Sequence, residues 1–238
     1  MVSNSVNASG STHAYAEAME WALELSGPLN VPRVWIPEKA FVEAVREEQS
    51  LSLTRRTDDG FFGLGIGENP LILPQWNEFA LPQSYTGKVP TEFIERHHWE
   101  THACETREQS YSLEILEEDE VISAFLDKHA PDSSARPGNP EIQFWGCVRN
   151  DEGEIASVAA ITQWESGEFM LSSVGTHLHM RGKGYAQKVC AGLLGLAYDR
   201  GIERVNLVVL SSNTPAISAY KKIGFNEIGK FLSYSRSS

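Results

Sequence analysis

Cysteine is scarce in this chain, and long apolar runs are absent. Among 238 residues there are three cysteines, Cys104, Cys147 and Cys190, which are far apart and form no CxxC pair. A disulfide framework and a cysteine-based metal site are therefore excluded, and we expect reduced thiols. No run of about 18 apolar residues occurs, which excludes an apolar membrane-spanning helix. Glycine (19 residues) and proline (11 residues) are not in excess, which excludes a collagen-like protein.

The N-terminus also lacks the features of a signal peptide. Residues 1–12, MVSNSVNASGST, have neither the basic flank nor the apolar core of a signal peptide. We therefore expect a disordered lead over 1–12 and a cytoplasmic protein. Hydrophobic residues make up 41% of the chain, enough to bury a sizeable core, and the length predicts one large domain or two smaller ones.

The formal net charge of −12 is unevenly distributed along the chain. Residues 181–238 hold nine basic and three acidic side chains, whereas the rest of the chain is strongly acidic. An acidic protein is a poor non-specific nucleic-acid binder, because that affinity comes mainly from phosphate neutralisation. The basic C-terminal quarter indicates a local anion site or a chance fluctuation of charge along the chain.

The first half of the chain is predicted to contain helices followed by short strands. Pro37 favours the start of a helix, and Asp58-Asp59-Gly60 favours a hairpin turn. The predicted elements are helices at 13–26 and 37–48, strands at 50–55 and 60–66, a loop at 67–90, and a segment at 91–104 whose composition favours a helix.

A change of pattern at residue 108 predicts an N-terminal domain over 13–107 and a second domain over 108–238. The elements predicted in the second domain are strands at 111–116, 142–149, 155–164, 168–176, 204–210 and 225–235, and helices at 119–130, 184–200 and 215–223. Antiparallel strands followed by alternating helices and strands predict an α/β or α+β fold with a mixed sheet.

The segment VGTHLHMRGKGYA, residues 174–186, joins a predicted strand to a predicted helix. Gly182 and Gly184 let backbone N–H groups turn toward an anion, because no Cβ stands in the way. The following helix N-terminus adds partial positive charge, and Arg181 and Lys183 add full charges. This combination predicts a pyrophosphate cradle, although an ordinary polar turn before a helix has the same composition.

Two clusters of residues follow recognisable patterns. Arg181, Gly184 and Ala186 fit the pattern R/Q-x-x-G-x-G/A. Downstream, N-x-x-A-x-x-x-Y-x-x-x-G-F is matched by Asn213, Ala216, Tyr220, Gly224 and Phe225. Together the two clusters resemble the signatures of the GNAT superfamily of acetyl-CoA-dependent N-acetyltransferases. The resemblance covers about residues 108–238 and implies a mixed, mostly antiparallel central sheet flanked by helices.

The resemblance assigns roles to particular residues. The strand before the cradle, with Val174 and Thr176 nearest the cofactor, would pair with the pantetheine arm of acetyl-CoA. Asn213 would hydrogen-bond the same arm, and Tyr220 would protonate the leaving thiolate. The pyrophosphate would bind the backbone amides of Arg181, Gly182, Lys183, Gly184, Tyr185 and Ala186.

The implied reaction is direct attack by an amine on the acetyl carbonyl, with strand amides polarising the carbonyl oxygen. The general base stays open among Glu165, Glu168, His177 and water. The acceptor is a small-molecule or peptide amine, and a homodimer is compatible with the sequence. No metal, nucleic-acid or membrane partner is expected.

His98 and His102 are four residues apart, but Trp99 stands where a zinc protease motif needs glutamate.

Two alternatives to an enzyme, and two origins of the N-terminal half, remain open. An acyl-CoA sensor would keep the cradle without catalysing transfer, whereas an interaction module would not bind CoA at all. Residues 13–107 carry none of the family motifs, so they are either a degenerate copy of the same fold or an unrelated cap.

Overall fold

The computed structural model describes residues 4–7, 12–26, 31–108 and 112–237. The elements of the first half are β1 (Asn4–Asn7), α1 (Thr12–Ser26), α2 (Val31–Trp35), β2 (Phe41–Arg46), β3 (Ser50–Thr57), β4 (Gly60–Gly67), β5 (Glu78–Pro82) and β6 (Phe93–Glu105). The elements of the second half are β7 (Glu114–Ile115), α3 (Asp119–His129), β8 (Ile142–Arg149), β9 (Ile155–Gln163), β10 (Phe169–Thr176), α4 (Tyr185–Asp199), β11 (Arg204–Leu210), α5 (Thr214–Lys222) and β12 (Asn226–Arg236).

The chain forms two compact units. Unit 1 comprises residues 1–101, 208–212 and 227–238. Its strands follow the order β1-β2-β3-β4-β5-β12-β6. The apolar face of α1, with Ala18 and Ala22, packs on Leu51 and Leu53 of β3, and all four side chains are fully buried. This burial explains the regular apolar spacing along α1.

Unit 2 comprises residues 102–207 and 213–226. Its strands follow the order β7-β8-β9-β10-β11. Ile122 and Leu126 of α3 pack with Cys147 of β8 and Val158 of β9 in one buried cluster. Helix α4 packs against β8, β9 and β10.

Both units show the same strand pattern. In unit 1, β1 to β4 pair successively antiparallel, and β5 then pairs parallel with β4. In unit 2, β7 to β10 pair successively antiparallel, and β11 then pairs parallel with β10. The units differ between their last two strands: β4 and β5 are joined by a loop, whereas α4 lies between β10 and β11.

The predicted mixed, mostly antiparallel α/β fold is confirmed, and from residue 112 onward the predicted order of elements agrees with the structure. The start of the strand predicted at 111–116 lies outside the described residues. The predicted domains, 13–107 and 108–238, stay a prediction, and the compact units divide the chain differently because β12 returns to pair with β5.

The prediction of a helix at 37–48 is wrong. Pro37 precedes only a short 3-10 turn, Glu38–Ala40, and the following residues form β2. Phe41 and Ala44 of β2 are buried, and the strand is paired on both sides, with β1 and with β3. Pairing with two neighbouring strands outweighs the local helix propensity of this segment.

Three further expectations for the first half need correction. The segment 91–104 is not helical but belongs to β6, whose exposed residues 94–98 hide its alternation. The predicted loop at 67–90 contains β5, which is held by parallel and antiparallel neighbours. The lead expected to be disordered contains the strand Asn4–Asn7, which pairs with β2, a partner more than 30 residues away that leaves no local signal. Residues 1–3 and 8–11 of the lead lie outside the described residues.

Candidate functional site

The connection from β10 to α4 has the geometry expected of an anion cradle. Gly182 and Gly184 have φ angles of +77° and +84°, and no atom lies within 4 Å of the position that a Cβ would take on either residue. Gly184 is the N-cap of the 15-residue helix α4 and provides no side-chain cap. The first N–H groups of α4 therefore have no cap from this residue, and such groups favour an anion.

The two charged side chains of the cradle, Arg181 and Lys183, differ in their contacts. The Arg181 guanidinium donates to the carbonyl of His129 (2.8 Å) and to that of Thr176 (3.5 Å). It therefore braces the loop against α3 and β10, besides adding positive charge. The Lys183 side chain is exposed. Both side chains are exposed, and Arg181 is the one that also braces the loop.

Strand β10, which leads into the cradle, is irregular. Its register with β9 shifts between Ser172 and Gly175, so the two residues between them, Val174 among them, form a β-bulge. Its parallel ladder with β11 consists of the single pair Met170 and Asn206 in the described strands. After Met170, the edge of β10 on the β11 side has no ladder partner. A bulge of this kind frees backbone groups for other hydrogen bonds.

Thr176 is the last residue of β10. Its hydroxyl lies 3.0 Å from the Ser157 hydroxyl, which also donates to the carbonyl of Gly175 (2.6 Å). Ser157 is completely buried. The end of β10 is thus fixed from the β9 side just before the cradle begins.

Helix α5 carries the second predicted cluster. The Asn213 side chain accepts a hydrogen bond from the Ala216 amide (3.3 Å) and so caps α5. Asn213 therefore serves the helix whether or not it also binds a ligand. Tyr220 packs edge-on against Phe225, with ring centroids 5.9 Å apart. Burial raises the pKa of the Tyr220 phenol, and the neighbouring Cys190 of α4 raises it further, so the phenol keeps its proton at neutral pH.

The three candidate bases differ in their surroundings. Glu165 is exposed in the turn between β9 and β10. Glu168 accepts a hydrogen bond from the buried Asn206 amide (3.0 Å) and lies 3.6 Å from the Arg204 guanidinium. These two partners, both on β11, tie the Glu168 side chain into unit 2.

His177 is also engaged. Its Nδ1 accepts a hydrogen bond from the His179 amide (3.3 Å), and its ring stacks on that of His129 with centroids 4.1 Å apart. With Nδ1 as the acceptor, neutral His177 carries its proton on Nε2. Its Nδ1 is therefore already engaged within the turn before the cradle.

His129 connects α3 to the turn before the cradle. Its Nδ1 accepts a hydrogen bond from the Leu178 amide (3.3 Å), and the ring is buried. Burial is the main cause that lowers the pKa of the His129 imidazole below 6.5, and neighbouring groups add to it: His177, Lys128, Arg181 and His179. Protonation at Nδ1 would break the hydrogen bond to the turn.

We expect the free energy of unfolding to fall as the pH decreases below 6.5. The unfolded chain, in which His129 has its ordinary pKa, takes up the proton first, so this contribution to stability is complete above pH 6.5 and is lost toward the lowered folded pKa. Urea unfolding of the wild type and of His129→Asn between pH 5 and pH 8 measures it. The variant should lose part of this pH dependence, whereas His98→Asn, at an exposed position, should keep it. If the free energy of unfolding depended on pH equally in all three proteins, His129 would not be the group responsible.

The described residues of unit 1 form no comparable cradle at the corresponding place. Its strands β4 and β5 are paired at three consecutive positions. The fully buried Trp76, whose indole N–H donates to the Thr54 hydroxyl (2.8 Å), lies against Gly63 so closely that a Cβ there would be 2.0 Å from the ring. The glycines of FFGLGIG therefore make room for the β4–β5 connection. They belong to β4, which matches the strand predicted at 60–66.

A metal centre has no support in the described residues. His98 and His102 both lie on β6, where His98 is exposed and His102 is buried. No group of three or more His, Cys, Asp or Glu side chains suited to a metal ion occurs in the part of the chain that the structure describes. None of the described helices has both the length and the apolarity needed to cross a membrane.

The sequence did not predict a role for three residues that lie on β10 or contact it or the turn before the cradle: His129, Ala135 and Ser173. His129 contacts the turn 49 residues later, and Ala135 and Ser173 are joined across 38 residues. A single serine in a strand and a histidine at a helix end are common, so neither gave a signal. Only tertiary contacts bring them to β10 and to the turn that follows it.

Comparison with known proteins places this geometry in a family. A family model for the acetyltransferase (GNAT) family matches residues 81–225. The protein is similar to the uncharacterized N-acetyltransferase YsnE of Bacillus subtilis (strain 168), with 30% identity over 97 residues, which are 40% of this chain and 63% of that protein. The chain thus spans less than two thirds of the length of this curated relative.

Solved structures resemble most of the chain. A GCN5-related N-acetyltransferase from Sphaerobacter thermophilus superposes with a TM-score of 0.57 at 13% identity, covering 98% of this chain and 94% of that one. One from Kribbella flavida gives a TM-score of 0.56 at 15% identity, covering 94% and 96%. At these identities the likeness concerns the fold alone. The family model covers more than half of the chain, and the protein therefore belongs to the GNAT acetyltransferase family.

Proposed function

We propose that the protein is an N-acetyltransferase that transfers an acetyl group from acetyl-CoA to an amine. The observation that carries this proposal is the cradle of unit 2, where two glycines with positive φ precede the N-terminus of α4. Side chains at these positions would obstruct an anion, and the open space around both glycines fits a pyrophosphate. Acetyl-CoA supplies the acetyl group as a thioester, whose sulfur leaves as a thiolate when an amine attacks the carbonyl carbon.

Several residues of unit 2 would hold acetyl-CoA. The backbone amides from Arg181 to Ala186 would bind its pyrophosphate, with the charge of Lys183 nearby. The unpaired side of β10, including Val174 and Thr176, offers backbone groups to the pantetheine arm in the manner of an added strand. Asn213, at the start of α5, would hydrogen-bond the same arm.

Tyr220 would supply the proton for the leaving sulfur. Its raised pKa keeps the phenol protonated at neutral pH, so that it is available as a hydrogen-bond donor and acid. The amine must lose a proton to a base, for which Glu165, Glu168, His177 and water remain candidates. Of the three side chains, Glu168 and His177 are hydrogen-bonded within unit 2, whereas Glu165 is exposed.

Acetylation of a panel of amines tests this function. The purified protein is incubated with acetyl-CoA and with polyamines, amino acids, aminoglycosides or short peptides, and products are detected by mass spectrometry. We expect one amine class to gain an acetyl group, with one free CoA thiol released per product. Because the chain carries a net charge of −12, we expect transfer to a cationic amine to slow as ionic strength rises. Acetyl-CoA binding without transfer to any amine would instead indicate a sensor.

The same proposal extends to the origin of unit 1. Its strands repeat the pairing pattern of unit 2, while the loop bearing Trp76 stands where unit 2 has the cradle and α4. Unit 1 would then be a copy of the fold that no longer binds a nucleotide. This origin of unit 1 predicts a single acetyl-CoA site per chain.

A further inference from the structure

The β10 bulge contains a serine in an unusual conformation. Ser173 has a φ of +51°, and only one other described non-glycine residue, Asn69, has a positive φ. Asparagine tolerates this region better than serine does, because its short amide can bond to the local backbone. Such a conformation persists only where the surroundings fix it, and it occurs preferentially at functional sites.

The surroundings of Ser173 fix it with two hydrogen bonds. Its hydroxyl donates to the Ala135 carbonyl (2.8 Å) and accepts from the Ala135 amide (2.9 Å). Ala135 is only 4% exposed and lies in the connection between α3 and β8. A hydroxyl is both donor and acceptor, so this one side chain satisfies both backbone groups of Ala135. The bulge and the α3–β8 connection are thereby joined.

The β10 bulge changes which backbone groups are available to a ligand. Bulge residues leave the ladder with the neighbouring strand, so a backbone N–H in the bulge becomes available to another acceptor. To stabilise negative charge on a carbonyl oxygen, such a donor has to be fixed at hydrogen-bonding distance before the reaction. Ser173 and Val174 have no partner in the β9–β10 register, whereas the two hydrogen bonds between Ser173 and Ala135, called the clamp below, tie the bulge to the α3–β8 connection.

We propose that Ser173 is a positioning residue, whose hydrogen bonds to Ala135 hold the β10 bulge so that a backbone N–H polarises the acyl carbonyl of the bound thioester. This inference rests on the proposed function, because it requires acetyl-CoA at β10. Ser173 acts through the backbone and not by touching the acyl group with its side chain.

Four variants separate the clamp from other effects. Ser173→Ala removes both hydrogen bonds and keeps the unfavourable φ, whereas Ser173→Gly removes them and relieves it. Ser173→Asn tolerates a positive φ and retains a donor and an acceptor. The matched control is Ser172→Ala, which removes a hydroxyl contact to Thr162 (2.9 Å) one residue earlier, in the regular part of the ladder.

The first readout is independent of any acceptor. The carbonyl stretch of acetyl-CoA labelled with 13C at the carbonyl is measured by isotope-edited infrared spectroscopy on the bound complex. We expect a shift to lower frequency in the wild type and in Ser172→Ala, a return toward the solution frequency in Ser173→Ala and Ser173→Gly, and an intermediate value in Ser173→Asn. Binding affinity for acetyl-CoA should change by less than about threefold, since the cradle supplies most of it.

The second readout is turnover with the amine found above. Ser173→Ala and Ser173→Gly should lower kcat by about 10- to 100-fold with little change in the KM for acetyl-CoA, as expected for misplacement of a reacting group. An unshifted carbonyl band in the wild-type complex, or an equal shift in Ser173→Gly, would overturn the clamp even if transfer is observed. Absence of acetyl-CoA binding to the wild type would overturn the proposed function itself, and the clamp with it.

Discussion

Replacement of Gly184 by glutamate should weaken acetyl-CoA binding by more than about 100-fold, equivalent to about 2.7 kcal/mol. Gly184 has a φ of +84° and caps α4 directly beside the proposed pyrophosphate position. A glutamate there places a side chain in the open space of the cradle. It also adds a negative charge where the helix N-terminus and Lys183 favour an anion. Isothermal titration calorimetry with acetyl-CoA measures the change.

Gly153→Glu is the matched control. Gly153 has a φ of +83°, no atom lies within 4 Å of its Cβ position, and it lies in the exposed turn between β8 and β9. Both substitutions force a side chain into the left-handed region, at a cost of about 1–2 kcal/mol of stability. Only Gly184→Glu should lose binding. Equal affinities in the two variants would mean that the anion binds elsewhere.

Tyr220→Phe should lower the rate of acetyl transfer by about 100-fold or more while leaving acetyl-CoA affinity within about threefold. A general acid typically contributes 10²- to 10⁴-fold, and phenylalanine preserves the ring packing against Phe225 while removing the proton. Because the Tyr220 pKa lies above its ordinary value of 10, wild-type turnover should not decrease through loss of this proton below pH 10. Steady-state rates over a pH series measure both effects.

Tyr198→Phe provides the comparison, since Tyr198 lies on α4 with 43% of its surface exposed. Its turnover should match the wild type. If Tyr220→Phe also turned over at the wild-type rate, the leaving thiolate would take its proton from another source, and Tyr220 would have only a packing role.

The cradle was predictable from sequence because it is local. Gly182 and Gly184 lie within a few residues of the helix that they precede, and their spacing carries the geometry directly. The same holds for Asn213, which caps α5 three residues before Ala216. The elements of unit 2 have strong periodicity, and the predicted order of strands and helices there agrees with the structure.

The errors concern segments whose structure depends on distant partners. β2 follows a helix-favouring Pro37 but is fixed by β1 and β3, and β6 mixes an exposed stretch with a buried one. For the same reason the Ser173–Ala135 clamp left no signal, since its two ends are 38 residues apart. Local chemistry therefore predicted the glycine turn before α4, while the arrangement that would align the acyl group depends on contacts that only the fold brings together.

Titration of the wild-type protein with acetyl-CoA by calorimetry tests the central claim most directly, because it needs no knowledge of the acceptor. The cradle in unit 2 and the packed Trp76 in unit 1 predict one site per chain. We expect a dissociation constant of about 1 μM to 1 mM, in the range of ordinary enzyme–substrate affinities. No binding at millimolar acetyl-CoA would contradict the claim that the cradle holds the cofactor, and two sites per chain would contradict the loss of binding in unit 1.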